Sequence, residues 1–295
     1  MILLFGSAGQ VGQELTELAR ARNVPLKGVV RADADITDAR AVDAVISASS
    51  PSVLVNAAAY TAVDQAEREP EAAHAANVVG ARNIAAAAGR HGIPVIHLST
   101  DYVFDGSKTG AYVESDPIAP LGTYGRTKAE GEQAIRDMGA DHVIMRTSWV
   151  YGRFGKNFLK TMLRLASTQD TLRIVADQRG CPTATADIAE AILAVCHTLE
   201  KRDPQSLGTY HFAGTGVTTW HGFAAAVIDA QAEFTGKRPR VDPIATKDYP
   251  TPARRPANSE LDSSRFAAAF GYRAKPWRER VKEAVDILCK GSCGA

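Results

Sequence analysis

The chain has 295 residues, 45% apolar and 23% charged, with a formal net charge of +1. That balance is that of a folded globular protein, and it offers no bulk field to attract nucleic acid or an acidic membrane surface. No apolar run approaches the ~20 residues that span a bilayer, so no membrane partner is expected. The apolar start Met1-Ile2-Leu3-Leu4-Phe5 breaks into Gly6-Ser7-Ala8-Gly9 with no basic segment before it, which argues against a signal peptide. The four cysteines are Cys181, Cys196, Cys289 and Cys293; none forms a Cys-x-x-Cys pair or stands in a His cluster, so zinc is not expected. So few cysteines suggest a reducing compartment, by default the cytoplasm. Cys289 and Cys293, near a Gly-rich end, read as exposed thiols.

In chain order, Ile2 to Phe5 is a short buried-strand run, Gly9 to Arg20 a helix, and Leu26 to Val30 a second strand. Asp38 to Ala48 reads as a helix with Thr37 as its N-cap, and Val53 to Asn56 as a third strand. Glu71 to Arg90 is a long Ala-rich helix ending at Gly92, followed by a fourth strand from Val95 to Leu98. A loop rich in Gly, Pro and Asp leads to the Tyr124 helix, which runs to about Asp137, and His142 to Met145 is a fifth strand. This alternation implies an α/β fold, a doubly wound parallel sheet with helices on both faces. The second half is less regular. Helices are expected over Asn157 to Ala166, Ala186 to Leu199 and Trp220 to Phe234, with strands at Leu172 to Val175 and Thr209 to Phe212. The basic run Lys237-Arg238-Pro239-Arg240 reads as a solvated loop. The Pro-rich segment Tyr249 to Pro256 is either a spacer or a rigid loop at a pocket rim.

Two patterns carry chemistry. Gly6-x-x-Gly9-Gln10-Val11-Gly12 follows the first strand and opens the first helix. Glycines there permit a tight turn and close approach of a pyrophosphate to free helix N–H groups, so dinucleotide binding is expected; the alternative is a tight turn alone. NAD sites usually carry an acidic residue at the end of the second strand, whereas this chain has Val29-Val30-Arg31. Arg31 suits a 2′-phosphate and favours NADPH, with NADH still open and an exposed Arg the alternative reading. The second pattern is Tyr124-x-x-x-Lys128, with Ser99-Thr100 ending an apolar run upstream. At i and i+4 both side chains share a helix face, and a nearby ammonium favours the phenolate, which would let the pair exchange a proton near neutral pH. A solvated helix face is the bland alternative.

With the glycine loop, Ser99-Thr100 and Tyr124/Lys128 resemble a short-chain dehydrogenase/reductase site. Longer strings resemble one extended branch, the dTDP-4-dehydrorhamnose reductases (RmlD). They are Asn56-Ala57-Ala58-Ala59-Tyr60-Thr61-Ala62-Val63-Asp64, Ser99-Thr100-Asp101-Tyr102-Val103-Phe104, Arg146 to Gly152, Asp177-Gln178-x-Gly180-x-Pro182-Thr183 and Arg255 to Ser259. The resemblance implies a Rossmann-type NADP-binding domain over residues 1–150, completed by about 185–205, and a smaller sugar-nucleotide domain from 151–184 and 206–295. It implies hydride transfer from NADPH to the 4-keto group of dTDP-4-dehydro-L-rhamnose. Thr100 would hydrogen-bond the keto oxygen, Tyr124 would deliver the proton, and Lys128 would bind the nicotinamide ribose and lower the Tyr124 pKa. Gly6, Gly9, Gln10, Val11, Gly12, Arg31, Asp35, Ile36, Ala58, Ala59 and Tyr60 would line the cofactor, with Asp35-Ile36 along the adenine. Asp101, Trp149 and Arg255 would face the sugar nucleotide.

Some relatives dimerise through Mg²⁺ held by Glu residues of both subunits. Glu14 and Glu190 match two such positions, while the third falls on Ile287, which cannot be a ligand, with Glu283 and Asp286 nearby. The alternative is two exposed surface glutamates. Two other functions fit parts of the pattern. One is a reductase of another nucleotide-linked 4-keto-6-deoxysugar, separable by product stereochemistry. The other is a non-catalytic NADP-binding regulatory subunit, which would not need Thr100, Tyr124 and Lys128 together.

Overall fold

The computed structural model describes residues 1–201 and 204–292. The run expected for a doubly wound sheet is present: β1 (Ile2–Phe5), α1 (Gln10–Ala21), β2 (Leu26–Val29), α2 (Ala39–Ser49), β3 (Val53–Asn56), α3 (Val63–Ala66), α4 (Pro70–His74), α5 (Gly80–His91), β4 (Val95–Thr100), α6 (Thr123–Asp137) and β5 (His142–Thr147). The six-stranded sheet is parallel throughout, in the order Gly208–His211, β5, β4, β3, β1, β2. The chain leaves β1 toward β2 and returns to β3 on the other side, so the order reverses between β1 and β3. Such a reversal opens a crevice at the carboxyl ends of the two strands.

The central strands β1 and β3 are buried and almost wholly apolar because both sheet faces are covered, whereas the edge strand β2 exposes Lys27 and Gly28. One face packs Ile2, Leu4, Val55, Ile96 and Met145 against α1, α8 (Thr185–Leu199) and α10 (Ser264–Phe270). The other packs Leu3, Phe5, Leu54 and Ile144 against α2, α5 and α6. A smaller unit gathers Trp149 and Tyr151 with α7 (Phe158–Thr168), α9 (Trp220–Thr235) and α11 (Trp277–Ser292) around a separate apolar core.

Several expectations need correction. The α2 N-cap is Asp38, whose carboxylate accepts from the N–H groups of Arg40 and Ala41, because Thr37 is turned toward Asp35. The long Ala-rich helix begins one residue earlier, at Pro70, and contains a π turn, Ala75–Val79, before ending at left-handed Gly92. The domain limit at 206 is too early: the Gly208–His211 strand pairs with β5 as the sixth strand of the main sheet. Arg240 is not loop; it opens a strand, Arg240–Ile244, that pairs in parallel with Thr171–Val175. Helices α10 and α11 were not anticipated. Cys289 is half-buried against the smaller core rather than exposed, and Cys293 lies outside the described residues.

The placement of α6 is fixed by a buried charge. Glu132 is fully buried and accepts hydrogen bonds from the Arg146 guanidinium at 2.7 and 2.8 Å, from Ser99 at 2.6 Å and from Arg136 at 3.0 Å. Burial pushes its pKa up, but Arg146, Ser99 and Arg136 outweigh burial and hold the carboxyl below its usual value. Ser99 and Arg146 are register partners on β4 and β5, so one carboxylate ties α6 to two strands at once. Removing one member of such a pair leaves an uncompensated buried charge. Glu132→Gln is therefore expected to lower unfolding free energy by about 3–5 kcal/mol, measured by denaturant titration; a loss within experimental error would show that Arg146 finds another partner.

Candidate active site

The glycine loop is built by close approach. Gly6 has φ +80°, and a Cβ there would stand 2.6 Å from the Ala58 nitrogen. A Cβ on Gly12 would strike the Gly6 carbonyl oxygen, so α1 can begin directly over the turn only with glycine at both places. Gly9 is the α1 N-cap and supplies no side chain to the first N–H groups, which leaves that helix end to receive an anion. Gln10 and Val11 open the helix, and the Gln10 side-chain oxygen accepts from Asn157. Ala58-Ala59-Tyr60 runs beside the loop. Tyr60 exchanges backbone hydrogen bonds with the Asn77 side chain, and Asn77 also donates to Thr127 of α6. The π turn is what aims Asn77 inward at this point, a common use of such turns.

At the end of β2, Arg31 is largely exposed and its Nε donates to Asp35 at 2.8 Å. Its terminal nitrogens face solvent beside the crevice. Asp35 is held below its usual pKa mainly by the Thr37 backbone N–H. Ile36 is buried against Gly80, so it forms floor rather than an open surface.

Thr100 ends β4, and its hydroxyl donates to Asp101 Oδ1 at 3.0 Å and accepts from the Tyr102 N–H. The Tyr124 phenol lies close enough to Thr100 and Asp101 to respond to both, Thr100 favouring the phenolate and Asp101 the neutral form. Tyr124 packs edge-on against Tyr102, with ring centroids 5.5 Å apart. Arg255 lies near Tyr102 and donates to Asp64 at 2.9 Å. Asp64 also accepts from the Ala253 N–H, so the Pro-rich segment is fastened to the rim of the crevice rather than serving as a spacer. Trp149 lies two residues past Thr147, the register partner of Thr100, with φ +48° and its indole stacked 3.6 Å from Trp220. A bulky residue held at positive φ is a strained arrangement that clusters at functional sites.

The electrostatics depart from one expectation. The Tyr124 phenol is raised rather than lowered: burial pushes it up to about 12, the neighbouring Thr100 hydroxyl opposes this only in part, and Asp101 adds to it. The ammonium of Lys128 is instead turned onto the Leu98 carbonyl oxygen at 2.6 Å and toward His97. Burial thus favours the neutral phenol, the form that can donate a proton.

Glu14 and Glu190 do not form an open metal site. Glu14 is buried, with Oε1 accepting from Arg153 and Oε2 from Thr185, and Glu190 is paired with Arg22. Mg²⁺ wants an octahedron of oxygens free to turn toward it, and these carboxylates are already held by cations and a hydroxyl. Among the described residues of this one chain no cluster of three or more His, Cys, Asp or Glu could hold a metal. Sequence reading missed Asn77, Glu132, His97 and Asp64. Glu132 had a signal, since it lies four residues after Lys128 on the same helix face; His97 had another, as a polar residue inside an apolar strand.

Fold and site together define a Rossmann-type oxidoreductase of the extended short-chain dehydrogenase/reductase class. The chain belongs to the RmlD substrate binding domain family, whose model matches residues 1–289. It is 43% identical over 288 residues to a dTDP-4-dehydrorhamnose reductase of Sinorhizobium fredii, covering 97% of both chains. It is 41% identical to the Escherichia coli protein of the same name, again covering 97% of both. A Bacillus anthracis dTDP-4-dehydrorhamnose reductase solved in complex with NADP superposes with a TM-score of 0.90 at 32% identity, over 97% of this chain and 98% of that one.

Asp101 offers a test of the site's electrostatics. It is 3% exposed, Oδ2 has no hydrogen-bond partner, and burial raises its pKa to about 6. Because the folded pKa is raised, the resulting stabilisation is complete below about pH 4 and is lost as pH rises through about 6. Ionising Asp101 in place then costs on the order of 3 kcal/mol. Asp101→Asn is expected to raise the melting temperature above pH 7 and to leave it unchanged near pH 4, as read from thermal unfolding across pH; a constant difference at all pH values would contradict the assignment.

Proposed function

We propose that this chain reduces the 4-keto group of dTDP-4-dehydro-L-rhamnose to the alcohol of dTDP-L-rhamnose, with hydride from NADPH and a proton from Tyr124. The observation that carries the reading is the convergence of Thr100, Tyr124 and Asp101 at the end of β4, beside a glycine loop that leaves a helix N-terminus free for a pyrophosphate. The nearly full-length relatives named above support the choice of sugar nucleotide. NADPH supplies hydride when bound. Gly6, Gly9, Gln10, Val11 and Gly12 would hold its pyrophosphate, Ala58, Ala59 and Tyr60 would line its path, and Arg31 with Asp35 and Ile36 would receive the adenosine end.

Hydride arriving at a carbonyl carbon builds negative charge on oxygen. Two donors aimed at that oxygen stabilise it more in the transition state than in the ground state. Thr100 is one donor; Tyr124 is the other and transfers its proton. A phenol kept neutral by burial suits this role, because the proton is present when the alkoxide forms. Lys128, one helical turn further along α6, would meet the nicotinamide ribose. Trp149 and Arg255 stand at the sugar-nucleotide side, Arg255 oriented by Asp64 and Tyr102. No helix among the described residues is long and apolar enough to cross a membrane, which is compatible with a cytoplasmic enzyme.

The test is to supply dTDP-4-dehydro-L-rhamnose and NADPH, follow cofactor oxidation, and determine the stereochemistry of the sugar product. Tyr124→Phe should lower turnover by about 10²–10⁴-fold, the usual contribution of general acid catalysis, while NADPH still binds. Near-normal turnover would remove Tyr124 from the role. The ratio of catalytic efficiencies with NADPH over NADH should exceed one and fall in Arg31→Ala; an unchanged ratio would show that Arg31 does not meet a 2′-phosphate.

A further inference from the structure

Behind the site lies a buried hydrogen-bond chain that the proposed reaction does not use. Asn56 ends β3 and His97 stands beside it in register on β4. Both are 1% exposed. Asn56 Oδ1 accepts from the Ala58 N–H at 3.1 Å. That contact fixes the amide orientation, so it is Nδ2, a donor, that meets His97 Nδ1 at 3.0 Å. Nδ1 must then be the acceptor nitrogen. A neutral imidazole with an unprotonated Nδ1 carries its proton on Nε2. Nε2 lies 3.4 Å from Lys128 Nζ, and Nζ also donates to the Leu98 carbonyl oxygen.

The polarity of this chain is therefore set from the backbone of the cofactor-lining loop to the lysine. It ends in an N–H pointing at Nζ. An ammonium has no lone pair to receive that N–H, whereas a neutral amine has one and can still donate to Leu98. The chain is complete only when Lys128 has lost a proton.

We propose that Asn56 and His97 are positioning residues for the Lys128 proton: Asn56 locks His97 as the Nε2–H tautomer, and that N–H favours the neutral amine. The consequence bears on the reading of Tyr124 as proton donor, on which this proposal rests: the charge carried by Lys128, four residues along the same helix, then depends on His97.

The surroundings agree with this assignment. Burial lowers the Lys128 pKa to about 8, and Glu132 on the same helix opposes that. Glu132 is itself neutralised by Arg146 of β5 and Arg136 of α6. His97 is held far below its usual pKa by burial, with Lys128, His142 and Arg136 adding to the effect, so it does not take up the proton itself. Tyr124 is the remaining titratable group of the site on the Lys128 face of α6.

Two kinds of measurement test the proposal. In the free protein, ¹⁵N spectra of labelled histidine should show His97 protonated at Nε2 and unprotonated at Nδ1, without titration across neutral pH. A proton on Nδ1 would overturn the proposal whether or not the enzyme reduces the proposed sugar. Asn56→Asp keeps an acceptor for the Ala58 N–H but presents a second acceptor to Nδ1, which should move the proton to Nδ1 and turn a lone pair toward Lys128. His97→Phe removes the N–H without adding charge. In both variants the Lys128 pKa, followed by NMR of ¹³C-labelled lysine, and the alkaline limb of kcat/KM should rise, by about one unit, or tenfold in proton affinity, in Asn56→Asp and by less in His97→Phe. Unmoved limbs in variants that still bind NADPH would mean that the chain only packs the sheet.

Discussion

The site depends on one buried carboxylate. Glu132 would be a liability without partners, since an isolated charge in a protein interior is costly. It receives Ser99 and Arg146 from two neighbouring strands and Arg136 from its own helix. The result is that α6 cannot slide or roll on the sheet without breaking several charge-assisted hydrogen bonds at once. Tyr124 and Lys128 lie about two and one helical turns before Glu132 on the same face. Their placement over the carboxyl end of β4 is thus a consequence of that anchor.

A second constraint acts on the other side of the crevice. The first turn of α1 fits over β1 only because Gly6 and Gly12 have no Cβ, and this brings the helix N-terminus against Ala58. The π turn in the Ala-rich helix then aims Asn77 at Tyr60 and Thr127, joining the cofactor-lining loop to α6. Asp64 joins the same region to Arg255 and Ala253 in the Pro-rich segment. The proposed cofactor loop, the proposed proton donor and the proposed sugar-nucleotide rim are therefore linked through short polar contacts rather than through the apolar cores.

The ionisation pattern follows from burial more than from paired charges. Lys128 and Tyr124 share a helix face, yet the ammonium is drawn onto the Leu98 carbonyl oxygen and the phenol is buried beside Tyr102. Desolvation wins over the attraction expected from spacing alone, and the phenol stays protonated. Asp101, buried with one oxygen unpartnered, follows the same rule.

Much of this was legible in the chain itself. Apolar runs of four residues separated by helical stretches can be satisfied only by a doubly covered parallel sheet, and glycines at a first strand–helix junction have one main physical use. Thr100, Tyr124 and Lys128 were visible because their residue types are unusual for the chemistry-free reading of their positions. The tertiary structure alone decided what depends on groups distant in sequence. Gly208–His211 belongs to the main sheet because β5 offers it a free edge, and Glu14 is paired with Arg153 because α1 and a loop some 140 residues later meet. The direction of the Lys128 ammonium is set by β4 atoms that no spacing within α6 can reveal.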